Sequence, residues 1–123
     1  MTNEVIENGP WAGFEVVHRY TRAQAIADGV LVDVTDEAKR CGFSVPVAMT
    51  GTLFGDCKSW AEDAAWWLLC FACETIRASK RRDTDRLLLP LQQFVAEPKT
   101  AIVHMGPGDD GEPVVTLMYP GEE

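Results

Sequence analysis

Apolar and polar positions alternate from Phe14 to Tyr20, a period of two that predicts a first strand. Thr21 stands where a helix N-cap belongs, so Arg22–Asp28 predicts a short helix that Gly29 stops. Val30–Val34 returns as a second strand. Thr35-Asp36-Glu37 opens another short helix that reaches Arg40 or Cys41 and ends at Gly42. Phe43–Ala48 carries Pro46 and predicts an edge strand or an extended segment, because proline gives a sheet ladder no N–H.

The period then becomes helical. Ser59-Trp60-Ala61-Glu62 reads as a capping box, and no Gly or Pro interrupts the chain from there to about Arg82. Trp60, Ala64, Trp67 and Phe71 share one face, while Trp66, Leu68, Leu69 and Ala72 fill much of the rest. This long helix is therefore expected to be buried on several sides, with Trp67 in the core. Its far end bears Arg77, Lys80, Arg81, Arg82 and Arg86, cations suited to the carbonyl end of a helix dipole.

Strand patterns close the chain at Arg86–Val95, Lys99–Met105 and Pro113–Tyr119, an antiparallel meander. The last two are joined by the turn Gly106–Glu112, in which Gly108 and Gly111 can take positive φ and Pro107 presets the bend. The expected fold is α+β: an antiparallel sheet with a C-terminal hairpin, packed on one long central helix with short N-terminal helices. One domain over residues 1–123 accommodates it, with 1–13 as an extended arm that Trp11 anchors.

Charge narrows the partners. Nineteen acids oppose eleven bases, for a net charge of −8. Such a balance disfavours direct nucleic-acid or anionic-membrane binding and steers in a basic protein surface. The longest apolar run, Ala64–Cys73, is too short for a bilayer, and the N-terminus lacks the basic start of a secretion signal. The expected location is the cytoplasm, where Cys41, Cys57, Cys70 and Cys73 are read as reduced thiols.

Candidate chemistry is sparse. Cys70-Phe71-Ala72-Cys73 has the spacing of a redox pair but sits in mid-helix among Trp and Leu, so packing is the expected role. Cys57, Cys70, Cys73 and His104 would suffice for zinc, yet no second close-spaced ligand pair supports that, and no metal is expected. Asp109, Asp110 and Glu112 gather on the hairpin tip and are the expected partner-binding residues. Neutralising them is expected to change binding and leave stability nearly constant.

Two resemblances extend this reading. Val16-Val17-His18-Arg19-Tyr20-Thr21, followed by a helix that closes at Gly29, loosely resembles the first motif of ADP-ribosyltransferases. That likeness implies an alternative NAD-dependent enzyme with His18, Thr21 and Glu112 in catalytic roles and NAD as cofactor. The blocks Tyr20–Val34 (YTRAQAIADGVLVDV) and Gly106–Thr116 (GPGDDGEPVVT) resemble an uncharacterised domain family encoded on bacterial plasmids and phages. A mobile-element setting implies a small acidic protein that binds and inhibits a host defence complex, such as a CRISPR effector with a basic nucleic-acid channel. Binding without a cofactor is the expected function.

Overall fold

A computed structural model describes residues 20–79, 85–92, 94–95 and 99–122, with the backbone of 3–5 and 15–17. Trp11, His18 and the cations Lys80, Arg81 and Arg82 lie outside the described residues. Strand β1 (Asn3–Val5), inside the expected arm, pairs antiparallel with β2 (Glu15–Val17), inside the expected first strand, as a two-stranded sheet.

Local signals built the next elements. Thr21 Oγ1 accepts from Gln24 N at 3.0 Å and the Gln24 side chain accepts from Thr21 N at 2.9 Å, so a true capping box opens α1 (Arg22–Ala27). Strand β3 (Leu31–Asp33) leads to α2 (Thr35–Cys41), whose first turn holds Asp36 and Glu37 and whose last holds Lys39 and Arg40, matching the helix dipole. Gly42 closes α2 at φ +113°.

Strand β4 (Val47–Thr50) corrects the expectation of an edge strand at Phe43–Ala48. All four of its residues are buried, and it lies between β3 and the last strand. Pro46 falls one residue ahead of the strand, where its missing N–H costs no ladder bond and its carbonyl accepts from Val115 N at 3.0 Å.

The long helix expected from Ser59 begins only at Ala64, and a helix the sequence reading missed precedes it. Thr50 Oγ1 accepts from Leu53 N at 3.3 Å and starts α3 (Gly51–Trp60); Ala61 turns extended at φ −167°, and α4 (Ala64–Ala78) follows. Ser59 therefore caps nothing: its hydroxyl donates to the Asp56 carbonyl at 2.7 Å inside α3. The inward face of α4 is Ala64, Leu68, Leu69, Ala72 and Cys73. Small residues among leucines bring this helix close to the sheet, which leaves the bulky Trp67 on the outside, 52% exposed, with Trp66 at 38%. The expectation that Trp67 fills the core is overturned.

Strands β5 (Arg86–Pro90), β6 (Thr100–Pro107) and β7 (Pro113–Met118) form the antiparallel meander. The five-stranded sheet runs β3-β4-β7-β6-β5, antiparallel except where β4 meets β7 in parallel. The fold is α+β, with four helices among the described residues, a mixed and mostly antiparallel sheet, and a C-terminal hairpin. Its core joins Val47, Met49, Leu53, Leu68, Leu69, Leu89, Val103 and Leu117. Among the described residues no helix is long and apolar enough to cross a membrane.

Candidate functional site

The β6–β7 turn folds on itself. Gly108 N donates to the Glu112 carbonyl at 2.6 Å, Gly111 N to the Gly108 carbonyl at 3.1 Å, and Gly111 supplies the left-handed step at φ +82°. Glu112 curls back over the loop, accepting from Asp110 N at 3.1 Å, and a Cβ on Gly108 would overlap its carboxylate. A side chain at 108 would push the Glu112 carboxylate aside, whereas at 111 the positive φ favours glycine.

The three tip carboxylates meet in space but differ in role. Asp109 accepts from Arg22 N at 2.8 Å and from Ala23 N at 3.1 Å, which gives the opening turn of α1 a cap from the far end of the chain. These two bonds hold its carboxyl below the usual range. The Arg22 guanidinium returns the contact, donating to Thr116 Oγ1 at 2.6 Å and to the Val115 carbonyl at 2.8 Å. Desolvation pulls the Arg22 pKa down, opposed by Asp33, Asp109 and Glu112. The tip is therefore a clasp onto α1 as well as an acidic surface, and Asp109, though exposed, is held by two hydrogen bonds. Asp110 is also exposed, and Glu112 is half-buried.

On one side of this clasp lies a small pocket of about 190 Å³ bordered by Arg22, Ile26, Asp33, Thr35, Asp109 and Glu112. A larger groove of about 550 Å³ lies among the α2–β4 loop, the end of α4 and the hairpin. Phe43, Val45, Ile76, Met105, Pro113 and Val114 make it apolar. Arg77 stands on its rim and donates to the Gly42 carbonyl at 3.4 Å. Gly111 also lines it, so Asp110 and Glu112 flank in sequence a residue that borders the groove. Sequence reading missed this feature because its walls come from three separated segments. The one local signal was Phe43 and Val45, apolar residues in a stretch that forms neither helix nor strand.

A second exposed feature is the pair Trp66 and Trp67, edge to face with ring centroids 4.8 Å apart. Trp67 Nε1 donates to Asp63 Oδ2 at 3.0 Å and fixes that ring on the first turn of α4.

Thr21 uses its hydroxyl to accept from Gln24 N in the α1 cap, and His18 lies outside the described residues, as does any grouping of it with Thr21 and Glu112. Cys57 and Cys73 are buried, while Cys41 and Cys70 are half-buried and all four are free thiols. The sulfur neighbour of Cys70 is Cys41, at 2.9 Å, a pairing that the Cys70–Cys73 spacing did not foretell. His104 Nε2 faces Asp85 at 3.6 Å. Among the described residues no cluster of three or more His, Cys, Asp or Glu side chains is placed to hold a metal ion.

Fold and site together define an α+β domain with an apolar groove beside an acidic hairpin. Residues 7–67 match the model of a family of unknown function (DUF6573). That match takes in α1 to α3 and the first residues of α4, and so contributes the Phe43–Val45 wall of the groove while the hairpin lies beyond it. Comparison with curated proteins and with solved structures gives no match.

Proposed function

We propose that this chain acts by binding, and that the groove and the acidic tip together dock a partner-protein segment that carries an apolar anchor next to Lys or Arg. The supporting observation is adjacency in the chain: Gly111 lines the groove, and its neighbours on either side, Asp110 and Glu112, are acidic, so an anchor seated against Ile76 and Val114 would lie beside the acidic turn. The net charge of −8 adds long-range attraction for such a partner. A host defence complex with a basic channel, such as a CRISPR effector, is the partner class that the mobile-element resemblance suggests, and blocking that channel is the proposed outcome.

The test is a panel of immobilised peptides, each with one aliphatic or aromatic residue flanked by Lys or Arg, beside the same peptides with Glu in the flanks. The basic panel should retain the protein, less so as salt rises. Ile76→Glu and Asp110→Lys should each weaken retention by about tenfold or more, the effect of ~1.4 kcal/mol. The thermal midpoint of Asp110→Lys should be unchanged, and binding by Ile76→Glu, altered at a position that packs against the core, is measured below its own midpoint. Equal retention of the acidic panel, or retention untouched by both changes, rejects the proposal.

A further inference from the structure

Cys41 is the last residue of α2, and Cys70 lies in the middle of α4, far apart in sequence but side by side in space. The Cys70 thiol donates to Cys41 Sγ at 2.9 Å, and Cys41 Sγ in turn donates to the Trp66 carbonyl at 3.7 Å. Two thiol sulfurs this close are within reach of a bond, which forms once the side chains turn to the dihedral a disulfide requires. Both residues are half-buried, open enough for a small oxidant, whereas Cys57 and Cys73 are buried.

We infer that Cys41 and Cys70 form a redox-active pair, which a disulfide oxidant of the glutathione class converts into an intramolecular bond tying α2 to α4. The chemistry balances as two exchanges. One cysteine, as thiolate, attacks a sulfur of the oxidant, forms a mixed disulfide and expels one thiolate. The second cysteine then attacks the protein sulfur of that mixed disulfide, forms the Cys41–Cys70 bond and expels the other. The cysteines lose two electrons and two protons, and the oxidant leaves as two thiols. Burial, with the hydrogen bond to Cys70 next, raises the Cys41 thiol well above the usual range. Thiolate is the attacking form, so cross-linking accelerates as the solution is made alkaline.

The bond would hold the α2 terminus, and with it Gly42 at the groove wall, against the helix that supplies the adjoining lining residues Cys73, Ile76 and Arg77. This site does not depend on what the groove binds.

The experiment equilibrates the folded protein with glutathione and glutathione disulfide at graded ratios, quenches with acid, alkylates after denaturation and maps the peptides. A Cys41–Cys70 cross-link should build up as the ratio turns oxidising, with Cys57 and Cys73 recovered as alkylated thiols. Cys41→Ser and Cys70→Ser should each stop at a mixed disulfide on the remaining cysteine, and Cys73→Ser should still cross-link. Wild-type protein that accumulates the mixed disulfide without resolving it overturns the inference. So does a Cys70–Cys73 bond in place of the expected one, or the absence of any cross-link at the most oxidising ratio. Trp fluorescence of each variant reports folding, so a misfolded variant is recognised and the wild-type outcome decides.

Discussion

Asp109 and Asp110 are neighbours with the same side chain and different work. Asp109 accepts two backbone N–H groups of α1, and Asp110 is simply exposed. Asp109→Asn should therefore lower the thermal midpoint, while Asp110→Asn should leave it where it is; equal shifts would contradict the clasp. The pH dependence has a definite sign. Because the Asp109 carboxyl is depressed in the fold, its contribution is complete above the ordinary carboxylate range and fades as pH falls through the depressed value. Acid melting curves of wild type and Asp109→Asn should converge at low pH. In the sequence the three tip acids looked equivalent, since nothing local shows that a partner 86 positions away, Ala23, sits against one of them.

Individual elements were legible where their ends are signalled locally. Thr21 and Gln24 mark the start of α1, Gly42 marks the end of α2, and both helices form where those residues place them. The helix pair α3 and α4 was misread because Ser59-Trp60-Ala61-Glu62 imitates a capping box, while the operative cap is Thr50 at the end of a strand. Burial within α4 was misassigned for a related reason. Hydrophobicity alone ranks Trp67 above Ala64 and Ala72, but a helix pressed on a sheet selects small residues at the contact. Leu68→Ala should cost about 2–5 kcal/mol as a buried truncation. Trp67→Ala should fall within about 1 kcal/mol, as exposed positions do. Chemical denaturation of the two variants checks the pair, and a larger loss for Trp67→Ala would return that ring to the core. The groove was not legible at all, because Phe43, Ile76 and Val114 share a wall only once α2, α4 and the hairpin have assembled.

For the molecule as a whole, the meander β5-β6-β7 was foreseeable from adjacent runs of β-type residues, and the α+β class followed from element order. The parallel ladder between β4 and β7 was not, since it joins Val47 to Val115 and neighbours with no turn between them to announce it. That ladder places β7 inside the sheet, hydrogen-bonded to β4 on one side and β6 on the other. During synthesis, then, β3-β4 and β5-β6 emerge as two fragments with no strand to connect them. The ribosome must release residues 113–118 before the sheet can close and before Asp109 can reach α1. Stalled chains that expose residues up to 112 should be digested readily by protease, and chains that also expose 113–118 should become resistant in one step. The domain would thus be completed only once β7 has emerged, and chaperones that shield nascent apolar strands would have until then to act on it.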